Sequence, residues 1–170
     1  MEDIKLRNGL HAGITIVIIC SILHAIDPRM FLNYSGFAGY MVFLFFMTRS
    51  VRQTREEEGG TLPFGSAFVA ALVPMTIGVF FSSFFNYAIH NWINPGIVDM
   101  IKEVAIESAM IAADKMSSLF DIEVDEDQLI AALEEEGFKL NFGKTFLSWF
   151  LTTAMGCIPA LIIAAFMKRN

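Results

Sequence analysis

The chain is 170 residues long, 55% hydrophobic, 18% charged and net −6 at pH 7; so apolar a composition excludes an ordinary soluble domain and fits one membrane domain. Its basic residues lie in short flanks rather than a patch, which excludes a nucleic-acid surface. Cys20 and Cys157 both fall inside apolar stretches, where a small buried side chain is expected rather than a disulfide.

In chain order, Lys5 and Arg7 precede a first apolar run at residues 10–26, closed by Asp27 and Pro28. Its length is the short end of what crosses a hydrocarbon core. A retained helix is expected rather than a cleaved leader. Ile19 before Cys20 is too large for a lipoprotein cut, and Leu23-His24-Ala25 lacks the small residue needed three back from a cleavage site. The second run, residues 30–47, follows so closely that the two form an antiparallel hairpin. Arg49, Arg52 and Arg55 then lead into Glu56-Glu57-Glu58-Gly59-Gly60, read as a polar loop with a glycine turn. The third run, residues 64–92, exceeds the bilayer thickness and must tilt, project or kink, with Pro74 the expected kink. The last runs over residues 142–167 and ends in Lys168-Arg169.

Between the third and fourth runs, the connection from Asn94 to Asn141 holds 12 acidic residues against Lys102, Lys115 and Lys139. Asp99, Glu103, Glu107, Asp114 and Ser118 recur at helical spacing, with Val98, Ile101, Ala105, Ala109, Ala112 and Met116 on the opposite face. The pattern predicts an amphipathic helix over residues 97–120. A second is expected from Asp125, where Gln128 completes a capping pair, to just before Gly137. Glu134, Glu135 and Glu136 oppose that helix's dipole and read as a solvated face. Asp121, Glu123, Asp125 and Asp127 resemble a calcium loop, but Glu126 stands where the turn glycine belongs and Ala132 where the bidentate glutamate belongs.

The fold class is therefore an all-α membrane protein, with four transmembrane helices and an extracytoplasmic amphipathic helical hairpin, at about residues 95–140, between helices 3 and 4. Seven basic residues (Lys5, Arg7, Arg49, Arg52, Arg55, Lys168 and Arg169) share the side holding both termini, against five on the other. Positive charge favours the cytoplasm, so both termini are expected inside. Tyr34, Tyr87, Trp92 and Trp149 map to the outer ends of their runs, as an interfacial belt requires.

Gly9-Leu10-His11-Ala12-Gly13, the loop Glu57-Glu58-Gly59-Gly60 with Phe64-Gly65-Ser66-Ala67-Phe68, and Phe142-Gly143-Lys144-Thr145-Phe146 together resemble a bacterial four-span membrane family. That family is catalogued only as a domain of unknown function, number four-one-nine-nine. The resemblance covers essentially the whole chain and implies a multi-pass protein of the bacterial inner membrane; it carries no catalytic residue with it. The phenylalanine-glycine opening occurs twice, on helices of opposite direction. Five residues are too few to read as a transporter's inverted repeat, and coincidence or packing is the simpler account.

Small residues at four-residue spacing mark the expected helix contacts: Gly9 and Gly13 in the first run, Ser66, Ala70, Gly78 and Ser82 in the third, and Ser148, Thr152, Gly156, Ala160 and Ala164 in the last. Lipid tails give no hydrophobic reward for helix pairing, so membrane helices meet where small side chains let backbones approach. The polar candidates are His24, Asp27, Asn86 and His90, which would have to converge to hold a metal or proton. All lie near the outer interface, where such groups reach water cheaply, so neither a metal nor a cofactor is expected.

No Gly-x-Ser-x-Gly elbow, Walker loop, His-Glu-x-x-His helix or paired intramembrane carboxylates occur, so the expectation is not an enzyme. It is a scaffold, assembly or regulatory component acting through the acidic hairpin, partnered by the bilayer, by its own copies or by a membrane or periplasmic protein. The alternative is a small transporter or channel component working as an oligomer; four short spans alone leave little room for a pathway.

Overall fold

The computed structural model describes residues 3–120, 130–131 and 138–168. The expected second connection helix, with its Asp125 cap and the Glu134–Glu136 cluster, lies almost wholly outside them. Among the described residues five long helices follow in order: α1 (Ile4–Ile26), α2 (Pro28–Glu57), α3 (Phe64–Ala88), α4 (Ile97–Phe120) and α5 (Phe142–Met167). A π-helical turn, Ile89–Ile93, continues from the end of α3. Four are long and apolar enough to cross a membrane: α1, α2, α3 with that turn, and α5. The chain forms two compact units, one of Met1–Tyr87 with Phe142–Asn170, the other of Ala88–Asn141.

In the first unit, α1 and α2 are separated by Asp27 alone. Its backbone, at φ −159°, is extended; its N–H closes α1 on Leu23 O at 3.0 Å, and its carboxylate accepts from Arg29 N at 2.8 Å to open α2. Pro28 sits at the first helical position, where its missing N–H costs nothing. At the other end α2 outruns the apolar segment by ten residues, to Glu57 rather than 47. A charged sequence still favours helix, and Arg52 pairs with Glu56 one turn on at 3.2 Å. The helix stops only where Gly59, at φ 75°, takes the left-handed conformation and Gly60 N donates back to Arg55 O at 2.9 Å, the two-glycine form of a Schellman end. Likewise α1 starts at Ile4, six residues before the apolar run, because Asp3 caps it by accepting from Lys5 N at 3.0 Å.

Contacts fix the helix directions. Asn8, His11 and Ile16 of α1 meet Gln53, Phe46 and Gly39 of α2, a descending order that makes the pair antiparallel. Gly9 and Gly13 face Ile77 and Phe81, so α1 and α3 run parallel. Thr76 and Phe84 of α3 meet Trp149 and Phe142 of α5, again antiparallel. Asp3 and Lys168 thus lie at one end of the unit, with Arg49, Arg52 and Arg55. The core is lined by Ala12, Ile16, Val51, Ala67, Ala71 and Ala160, all fully buried. Outside it, Leu6, Leu10, Ile14, Ile18 and Ile22 form an α1 ridge about half exposed. Such a ridge is stable against hydrocarbon and not against water.

In the second unit, Asn94 N closes the π turn on Ile89 O at 2.8 Å, and Ile97 N donates to Asn94 O at 3.0 Å across the Pro95-Gly96 corner. Asn91 Nδ2 donates to Leu140 O at 3.2 Å. Ile97 and Ala113 of α4 are buried, Val98, Ile101, Ala105 and Ala109 half-buried, and Asp99, Glu103, Glu107 and Asp114 exposed. The expected amphipathic helix is present, but its apolar face turns toward Ala113 rather than the exposed Ala112.

Candidate functional site

The most polar level of the first unit lies between the N-terminal end of α1 and the C-terminal end of α2. Asn8, 1% exposed, donates through Nδ2 both to Ile4 O at 2.9 Å and to Gln53 Oε1 at 2.8 Å. Ser50 and Thr54, one turn apart on α2, are buried, and their hydroxyls have no hydrogen-bond partner among the described residues. The Asn8–Gln53 bond ties α1 to α2 near the bundle's end; neither residue was among the sequence candidates. An asparagine and a glutamine adjoining apolar runs were the available signal, masked because both sit among charged flanking residues.

The small-residue stripes divide in the structure. In α1, Gly9 and Gly13 are buried: a Cβ on Gly9 would stand 2.8 Å from Ile77 Cβ, and one on Gly13 2.6 Å from the Phe81 ring. In α3, Ala70 and Gly78 are buried while Ser66 and Ser82 are half-buried. A Cβ on Gly78 would lie 2.7 Å from Phe43 Cε1 and 3.3 Å from Ala12 Cβ, so three helices meet at that point. In α5, Gly156, Ala160 and Ala164 are buried, and Gly156 abuts the Met75 thioether; Ser148 and Thr152 are exposed. The reason is helical geometry. A step of four residues overshoots one turn by about 40°, so Ser148 points about 160° away from Ala164. The N-terminal half of the contact face passes instead through Thr145, Trp149 and Thr153.

Trp149, expected in the interfacial belt, makes a contact between helices. It is half-buried, and its indole N–H donates to Thr76 O at 3.1 Å across the α3–α5 seam. Phe80 stands edge-on to it at 6.3 Å and packs on Phe84 at 4.4 Å.

The polar candidates each have a local role. His24 meets Phe31 edge-on at 5.8 Å. Asp27 caps two helices, and Asn86 Nδ2 donates to Ser82 O at 3.1 Å within α3. His90 belongs to the π turn of the other unit. Among the described residues no three histidine, cysteine or carboxylate side chains gather as metal ligands. Asp99, Glu103, Glu107 and Asp114 form an exposed acidic face on α4.

Comparison with protein families matches residues 7–169 to one described as "Protein of unknown function (DUF4199)". Neither a curated protein nor a solved structure matches the chain.

Proposed function

Since the chain belongs to the DUF4199 family, whose function is unknown, we propose from its own geometry that it is a non-enzymatic scaffold or assembly component of a bacterial inner membrane, acting through the acidic segment between the third and fourth spans. Both termini are cytoplasmic in this reading and the segment is extracytoplasmic. The observation that carries it is the separate compactness of Ala88–Asn141, in which α4 exposes Asp99, Glu103, Glu107 and Asp114. A helix with a solvated acidic face and its own supporting contacts is a surface suited to a basic partner. The spans carry less. Asn8, Ser50, Thr54 and Thr145 are the buried polar residues among those described, and the first three lie at one end of the bundle. That distribution favours the scaffold reading over transport, which needs polar groups along a path.

The test is capture from native membranes with a photo-crosslinking residue at Glu107, compared with one at Phe166 on the exposed face of α5. A defined adduct from Glu107 alone, lost when Asp99, Glu103 and Asp114 are changed to Asn, Gln and Asn, is the expected result; replacing residues 97–136 by a flexible linker in an otherwise inserted protein should abolish the phenotype. Full retention of the null-mutant complementing phenotype by that deletion would move the activity into the spans.

A further inference from the structure

One exposed face of α2 joins an apolar groove to two cations. Met41, Leu44, Phe45, Thr48, Arg49 and Arg52 line a surface depression along it, in the i, i+3, i+4, i+7, i+8, i+11 pattern that keeps one helical face in register. Met41 and Phe45 are 53% and 59% exposed, and Thr48, Arg49 and Arg52 are exposed. We propose that this face binds one anionic glycerophospholipid, its acyl chain along Met41, Leu44 and Phe45 and its phosphate on the guanidinium groups of Arg49 and Arg52.

Three observations support the occupant. The first is vertical order. A hydrocarbon core takes about 20 helical residues, and counting from Pro28 places its far edge at Thr48, where the lining changes from apolar to cationic. Met41 lies about 16 Å from Arg52 along the axis, close to the depth of one leaflet. The second is charge. Among the described residues no carboxylate pairs with Arg49, whose guanidinium carbon stands 5.9 Å from the Phe46 ring centroid. Arg52 spends its Nε on Glu56 at 3.2 Å in an exposed pair, a bond that does not involve the terminal nitrogens. Planar guanidinium forks match phosphate oxygens, and a headgroup without a balancing cation fits best. The Thr48 hydroxyl donates to Leu44 O at 2.8 Å, so the recognition falls to the arginines. The third is the exclusion of a second copy. Two chains inserted in the same sense and related by a two-fold axis would set Arg49 and Arg52 against their own counterparts. The depression at Asp3, Leu6, Arg7 and Leu10 on α1 lacks this match, because Asp3 contributes a carboxylate beside its single arginine.

The experiment is native mass spectrometry of the full chain released from nanodiscs of mixed phosphatidylglycerol and phosphatidylcholine. The parent should retain one phosphatidylglycerol in preference to phosphatidylcholine. Arg49→Gln with Arg52→Gln should lower that retention by about fivefold per arginine, whereas Lys5→Gln with Arg55→Gln, an equal loss of charge elsewhere at the same end, should change it less than about twofold on the same scale. Leu44→Trp keeps both charges but fills the groove and should also release the lipid; it decides the matter if the double arginine variant fails to insert. Added inorganic phosphate should not compete. Equal losses from the two charge pairs, no preference between the lipids, or release by phosphate alone would overturn the proposal. It is independent of what α4 binds.

Discussion

At the scale of single residues, the bundle is held by close approaches that differ in how far their neighbours can yield. Gly78 is closed on two sides, because a new methyl meets the Phe43 ring on one and Ala12 on the other. Gly78→Ala should lower stability in detergent by about 1–3 kcal/mol, read as a fall in melting temperature. Gly36→Ala, with nothing within 4 Å, should leave it unchanged. Gly156 meets only the flexible end of Met75, so alanine there should be tolerated better than at Gly78. Leucine at the same position should part α5 from α3, while Ile162→Leu, at a position 52% exposed, should be silent. An intolerant Ile162 beside a tolerant Gly156 would place the contact on the wrong face; loss of an oligomer without monomer unfolding would move it between protomers. Asn8 offers an independent check. Asn8→Leu should cost about 0.6–1.7 kcal/mol, the range of hydrogen bonds between membrane helices, and a double-mutant cycle with Gln53→Leu should show coupling. Additive losses would mean that the bond contributes nothing of its own. These glycines were legible in the sequence because glycine inside an apolar run has few other uses; Ser148 and Thr152 were misjudged because a repeat of four drifts off a helix that turns every 3.6 residues.

At the scale of elements, α2 shows why a span and a helix are different objects. The apolar segment ends where the bilayer does, whereas the helix ends where the backbone is allowed to turn, at Gly59 and Gly60. Residues 49–57 were therefore read as loop although arginine and glutamate are good helix formers. The limits of α5, Phe142–Met167, were legible because in that case both criteria coincide. The α3–α5 seam depends on Trp149 as a donor as much as a ring. Trp149→Phe, which keeps the aromatic edge but not the bond to Thr76 O, should lose about 1 kcal/mol by thermal melt. Phe166→Leu, at a residue 86% exposed, should serve as the neutral comparison.

At the scale of the whole molecule, alternating helix directions in the first unit bring Asp3 and Lys168 to one end with the α2 arginines, which is the charge asymmetry that sets orientation. In a background of Cys20→Ala and Cys157→Ala, which removes both native thiols, a cysteine at Asp114 should react with an impermeant thiol reagent once the outer envelope is permeabilised. One at Glu57 should react only after the inner membrane is breached. The reverse pattern would invert the proposed topology. Four spans and an amphipathic connection were legible from hydropathy and periodicity alone. The choice of which candidate polar residues converge was not, since it depends on helix rotation, which composition leaves free.

The single-residue turn at Asp27 has an electrical consequence. In the proposed orientation the α1–α2 hairpin enters the bilayer tip first, and that tip carries Asp27 and Arg29 as opposite formal charges. A membrane potential does work of about 2.3 kcal/mol per elementary charge for each 100 mV. On a tip whose charges cancel, that work vanishes. Insertion of the hairpin, followed by labelling with an impermeant thiol reagent, should therefore be equal in energised and depolarised cells, and Asp27→Asn alone should make it depend on the potential.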